Sequence, residues 1–129
     1  MSDEATAWLQ YARENLEVAK MTLEAGLLNP CLQNAQQAAE KALKTIRVCR
    51  SMRPKRTHSI RDLNRELITA GFDTSLSEDD CELLDSIYVS SKYPLESVLP
   101  DAPPDLAICQ HCVRLAEQVL IVAENVAKE

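Results

Sequence analysis

The sequence predicts an all-α protein, an up-and-down four-helix bundle with one additional short helix. Three observations predict it. The stretch Cys31 to Ile46, CLQNAQQAAEKALKTI, places Ala35, Ala38, Ala39, Ala42 and Ile46, with Cys49 beyond, on one helical face. The face is mostly alanine, so a neighbouring helix backbone can approach it closely. Two glycines and 4% aromatic residues in 129 argue against a β-rich chain. The frequent Ala, Leu, Glu, Lys and Gln favour helix.

The first helix is expected to be capped by Ser2 or Asp3. Its apolar stripe is Trp8, Ala12, Leu16, Ala19 and Leu23, and Gly26 ends it. Leu27 to Pro30 is a turn too short for anything but antiparallel packing of the next helix. In that helix Asn29 is expected to cap and Pro30 to occupy the first helical position, with the end near Cys49 or Arg50. This helix is expected to be the central member of the bundle.

RSMRPKRT, Arg50 to Thr57, is a basic connector broken by Pro54. A short third helix follows. Ser59 and Asp62 resemble a capping box, Ile60, Leu63 and Leu67 give its buried stripe, and Gly71 ends it. Ser77 and Asp80 repeat the capping signal before a fourth helix, where Cys81, Leu84, Ile87 and Tyr88 face inward. Lys92-Tyr93-Pro94 stops that helix, because a residue before proline avoids the α region. Leu95 to Pro104 reads as a loop. Pro104 and Asp105 open the last helix, with Leu106, Cys109, Cys112 or Val113, Ala116, Leu120 and Ala123 inward. The whole chain, residues 1–129, reads as a single domain.

The start, MSDEATAW, is acidic and polar rather than a targeting signal. Gln110, His111, Arg114 and Glu117 interrupt the apolar run of the last helix, so a membrane span is not expected. Five cysteines without a disulfide-framework spacing point to reduced thiols and a cytoplasmic location.

The net charge of −6 hides a segregation. Between Lys41 and Arg65 lie Lys41, Lys44, Arg47, Arg50, Arg53, Lys55, Arg56, Arg61 and Arg65, opposed only by Asp62. That segment carries +8 and the remainder −14. Lys44, Arg47 and Arg50 step by three and can line one side of the second helix. A basic place on an acidic molecule suits a polyanion such as a nucleotide or nucleic-acid backbone. The competing reading is a docking surface for an acidic protein, including a second copy.

AQQAAEKALK, then THSIRDL, then a tyrosine-rich turn ending in Tyr93-Pro94 resemble, in this order, the HEPN family of small helical domains. The resemblance covers the chain from Trp8 to the last helix. It implies a homodimer, and commonly a separate small nucleotidyltransferase as partner in toxin–antitoxin-like systems. A thin helical domain with an alanine face favours pairing on its own account. Tyr88, Lys92 and Tyr93 match the family's tyrosine, basic residue and tyrosine. Lys92 stands where arginine is commoner, which loses the bidentate fork for phosphate.

Arg53-x4-His58 has the spacing of the family's RNA-cleaving pair: histidine for acid–base work, arginine for phosphate. In the family that pair lies towards the C-terminal part of the bundle. Here His111 has no arginine ahead of it at that distance, because residues 104 to 106 are Pro, Asp and Leu. His58 instead matches the position that opens the short helix, where it can simply pack and hydrogen-bond.

Cys109-Gln110-His111-Cys112 puts two thiols on one helical face, but a structural zinc needs four ligands and no second pair is present. The bland reading is that both are core residues. No metal or cofactor is expected. Two function classes remain. One is a non-catalytic accessory protein that binds nucleotide or nucleic acid through Lys44, Arg47, Arg50, Arg53, Arg56, His58, Tyr88, Lys92 and Tyr93. The other is a metal-independent ribonuclease using Arg53 and His58.

Overall fold

The computed structural model describes residues 1–53, 56–92 and 104–129, with the side chain of residue 91 left aside. Among the described residues it contains five helices and no strand. They are α1 (Asp3–Glu24), α2 (Leu28–Cys49), α3 (Ile60–Thr69), α4 (Glu78–Lys92) and α5 (Leu106–Ala127). Helix α2 packs against all four others, most extensively against α1 and α5; α3 and α4 also pack together. It is the central member because Ala35, Ala38, Ala39, Ala42 and Ile46 are all fully buried. Alanine there lets several helix backbones share one axis without leaving voids.

The helix ends follow side-chain chemistry. Ser2, not Asp3, caps α1 by accepting from the Ala5 N–H at 3.1 Å. Ser77 and Asp80 form a full reciprocal capping box, each side chain accepting from the other's backbone N–H at 3.0 Å. At α3 only half of the box forms. Ser59 accepts from Asp62, while the Ser59 N–H donates to Thr57 Oγ1. Asp85 completes that end by accepting from the backbone N–H groups of Ile60 and Arg61 and from the Ser59 hydroxyl. Gly26 and Gly71 end α1 and α3 at φ of +75° and +95°, a conformation that costs glycine nothing.

Four expectations are corrected. Helix α2 starts two residues early, with Leu27 at its N-cap and no side-chain cap, so Asn29 and Pro30 lie in the first turn. Trp8 is only half-buried, and Ala5 and Leu9 take its place in the α1 core stripe. Leu106 is exposed, and the buried part of α5 begins at Cys109. Arg47, expected to line one side of α2 with Lys44 and Arg50, is buried, and so are Gln36 and Glu40. The Tyr93-Pro94 stop and the loop from Leu95 lie outside the described residues.

Helix α5 is long and apolar enough by length and composition to cross a membrane. Its buried residues, from Cys109 to Ala123, nevertheless belong to the same core as those of α1 and α2.

Candidate functional site

Along α2, Gln33, Gln36, Glu40, Lys44 and Arg47 follow one another by three, four, four and three residues. That spacing keeps them on one face. The face is a polar stripe running the length of the helix, beside the alanine core stripe. A cavity of about 260 Å³ lies at the end near Arg47 and a cleft of about 130 Å³ at the end near Gln33. The stretch between them is held by Glu40.

Glu40 is 2% exposed, a carboxylate almost wholly withdrawn from water. It survives there because cations and donors converge on it. Lys44 Nζ lies 3.1 Å from one oxygen, one helical turn away. His58 Nδ1 lies 3.3 Å from the other. The His58 ring stacks on Tyr88, with centroids 4.9 Å apart and planes 16° apart, tying the connector to α4. Lys92 Nζ stands 5.7 Å from the Tyr88 ring centre. His58, Tyr88 and Lys92 are therefore one cluster. The His58 side chain keeps 57% of its surface open to solvent.

The larger cavity is walled by Trp8, Val48 and Met52, with Lys44, Arg47, Arg53 and Arg56 as cations and Glu4 as the acidic group. Lys44 Nζ lies 5.0 Å above the Trp8 ring, a cation–π contact that links α1 to the stripe. The smaller cleft is lined by Gln33, Gln36, Gln37, Ile87, Tyr88 and Lys92.

The structure sorts the basic segment into two kinds. Arg47 is 6% exposed and committed inward: its guanidinium bonds Glu66 and donates to the Arg53 carbonyl at 2.8 Å. Arg50 turns away from the cavity to Glu129 and covers Phe72, 4.6 Å from the ring centre. Arg61 and Arg65 both pair with Glu78. A guanidinium already facing a carboxylate offers little to a phosphate. Arg47 and Arg50, expected as ligand contacts, thus serve first as internal ties. Arg53 and Arg56 are exposed and have no ion-pair partner among the described residues. Tyr93, also expected in the site, lies outside the described residues.

Arg53 lines the cavity together with Lys44, and His58 sits on the buried carboxylate with which Lys44 pairs. Glu40 and Gln36 are site residues that the sequence pattern does not single out. Their signal is a second 3-4-4-3 periodicity on α2, hidden by the stronger alanine one. Trp8 is masked in the same way, because its spacing to Ala12 places it in the core stripe.

The cysteines lie elsewhere. Cys31, Cys81, Cys109 and Cys112 are fully buried. Burial, with nearby Cys31 adding to it, pushes the Cys109 thiol up to about 11. Burial also pushes Cys112 up to about 12, with Cys109 and Cys31 contributing. The Cys109 thiol donates to the Leu28 carbonyl at 3.7 Å. Among the described residues no three His, Cys, Asp or Glu side chains are grouped to hold a metal ion.

The HEPN domain model matches residues 5–126 of the chain. No curated protein matches it. Among solved structures, the fold is similar to that of ST0689, described as an archaeal HEPN homologue. Identity is 24% and the TM-score 0.72, over 97% of this chain and 98% of that one. TT1696 from Thermus thermophilus is similar at 30% identity and a TM-score of 0.63, over 97% and 99% of the two chains. The HEPN domain protein TM0613 from Thermotoga maritima is similar at 26% identity and a TM-score of 0.50, over 95% and 92%.

Proposed function

The chain belongs to the HEPN domain family, and from that premise we propose that it is a non-catalytic module that binds a nucleotide or nucleic acid along the polar stripe of α2. One observation carries this reading. Arg53 and Arg56, without ion-pair partners among the described residues, share a cavity wall with Trp8 and Lys44. Arginine is the side chain best matched to phosphate geometry. Trp8 and the open His58 ring supply flat surface against which a base can lie. The test is anisotropy of a labelled single-stranded oligoribonucleotide at rising salt. Binding at low salt that weakens steadily as salt rises supports the reading; no binding at low salt overturns it.

Family membership alone supports two further parts of the proposal. The module works beside a nucleotidyltransferase-domain protein in a toxin–antitoxin-like system, and it does so as a homodimer. Co-purification with a nucleotidyltransferase encoded next to it tests the first. Light scattering at tens of micromolar, an order-of-magnitude range for a moderate interface, tests the second.

A specific observation favours a second reading, metal-independent RNA cleavage. A buried carboxylate on Nδ1 of His58 fixes the ring, and the side chain keeps 57% of its surface open to solvent. A histidine so held can act as a general acid–base, and Arg53, which shares a cavity wall with Lys44, would hold phosphate. RNA cleavage in the presence of a chelator, lost in His58→Ala, would replace the binding-only reading with this one.

A further inference from the structure

Tyr11 is 54% exposed on α1. Its ring meets that of Trp8 edge-on, with centroids 6.5 Å apart and planes at 77°. Lys41 Nζ stands over it, 5.5 Å from the ring centre. The same pairing occurs one turn away in the cavity wall, where Lys44 Nζ stands over Trp8. Antiparallel packing produces the repeat: three residues forward on α1, from Trp8 to Tyr11, meet three residues back on α2, from Lys44 to Lys41. The two lysines differ in what faces them. Lys44 pairs with Glu40. Lys41 makes no ion pair among the described residues; it donates to Asn15 Oδ1 at 2.9 Å. Asn15 donates in turn to Asn34 Oδ1 at 3.1 Å, and Asn34 to the Pro30 carbonyl at 2.9 Å. A line of amides thus holds a partly buried ammonium in place, with no carboxylate paired to it and with N–H groups left for an anion.

Resting on the nucleic-acid reading above, we infer that Tyr11 and Lys41 form a second nucleotide station beside the cavity, and that the ligand is a single strand several nucleotides long rather than a free nucleotide. Flat rings alternating with cations suit a single strand, whose bases are open to stacking while its phosphates follow the charge. A free nucleotide would occupy the cavity and leave Tyr11 and Lys41 unused. The geometry also selects against a duplex. The Trp8 and Tyr11 centroids are 6.5 Å apart, against a rise of about 3.4 Å per nucleotide in a stacked strand. Rings so spaced, and nearly perpendicular, cannot both receive bases that remain stacked on one another. Each base must leave its neighbour and lie on its own ring, which a single strand does at little cost and a duplex does not.

The chain has one tryptophan, Trp8, so its fluorescence reports on the cavity wall. Uridine monophosphate and a uridine tetranucleotide are titrated against the full chain, Tyr11→Ala and Tyr11→Phe. Trp8 quenching is read beside the anisotropy of the labelled tetranucleotide. In the parent the tetranucleotide is expected to bind about tenfold more tightly than the monophosphate, a gain within the range of one stacked base. Tyr11→Ala is expected to lose most of that gain and Tyr11→Phe, which keeps the ring, to retain it. The side chain is exposed, so both variants are expected to melt near the parent, and folding is checked in the same samples. Equal affinity for the two ligands in the parent overturns the inference and leaves a free nucleotide as the ligand. A gain that survives Tyr11→Ala, or is lost equally in Tyr11→Phe, overturns the second station. Tighter binding of a hairpin duplex than of a single strand of equal length overturns the choice of ligand. No response to any of these ligands sinks the nucleic-acid reading itself, and the inference with it.

Discussion

His58 Nδ1 stands 3.3 Å from the carboxylate of Glu40, a group that the rest of the fold has almost sealed from water. The two residues are eighteen positions apart, one in the middle of α2 and one in the connector. The contact ties that connector to the centre of the bundle. Lys44 faces the same carboxylate from one turn away. Removing a cation from a buried pair leaves its partner uncompensated. Lys44→Met is expected to cost roughly 2–3 kcal/mol, since His58 still faces the carboxylate. Glu40→Gln keeps a hydrogen-bonding group without the charge and is expected to cost less than about 1 kcal/mol. Urea midpoints of the two variants decide this; the reverse order would mean that Lys44 does not stabilise the Glu40 side chain.

Charge reversal at the cavity wall tests the ligand surface. The double variant Arg53→Glu and Arg56→Glu changes side chains with no ion-pair partner among the described residues, so its melting temperature is expected to stay near that of the parent. Binding to a single-stranded oligonucleotide is expected to weaken. The slope of log affinity against log salt should fall by about 1.4, because each phosphate neutralised on a single strand contributes about 0.7 and two arginines are reversed. The same change at Arg47, which is tied to Glu66 and the Arg53 carbonyl, is expected to unfold the protein instead. An unchanged titration in the double variant would make the patch a protein-docking surface.

The alanine face is a packing device and can be tested as one. Ala38 and Ala39 are fully buried where α2 meets its neighbours. Ala38→Leu or Ala39→Leu is expected to overpack that contact by about 1–3 kcal/mol. A melting curve like that of the parent would show that the helices can move apart freely.

Lys41 gives a pH-dependent test. Burial holds its ammonium below the usual lysine range, Glu40 works against this, and Lys44 adds to it. The folded state therefore releases this proton at lower pH than the unfolded chain does. Between those two pKa values the unfolded state binds more protons, so stability contributed by Lys41 rises with pH. In urea titrations at about pH 7 and about pH 10, spanning the ordinary lysine value, Lys41→Met is expected to lose part of the parent's relative gain at the higher pH. Identical pH dependence in both proteins would mean that Lys41 is fully hydrated.

Thiol chemistry should follow burial. Cys81 is pushed up to about 12 by burial, with Asp85, Glu78 and Asp80 adding to it, and Cys112 lies as high. Cys49 is only half-buried. Iodoacetamide with the native protein near pH 8, followed by mass mapping, is expected to modify Cys49 first and to spare Cys81, Cys109 and Cys112 until the protein unfolds. Early labelling of Cys112 would contradict the packing of α5.

Much of the fold was readable because the relevant signals are local. Ser77 and Asp80 sit three apart and cap each other, Gly26 and Gly71 stand where the backbone needs a positive φ, and the alanine stripe repeats within one helix. The site was less readable. Whether Arg47 meets a phosphate or Glu66 depends on where α3 returns, and Arg50 depends on Glu129, seventy-nine positions away. A cluster of cations in sequence thus says little about charge at the surface until their carboxylates are placed. Gln36 and Glu40 show the converse. Their positions follow from helical period, but their burial comes from α4 and the connector, which period alone does not locate.

The central place of α2 also sets an order of events during synthesis. Helices α1 and α2 are adjacent in the chain, joined by a turn of a few residues, and can pair as soon as both leave the ribosome. The other large contact of α2 is with α5, whose first residue follows the end of α2 by fifty-seven positions. Until α5 is made, part of the alanine face remains in water with no helix to cover it. The nascent protein therefore carries an apolar seam from the emergence of α2 until α5 has been made.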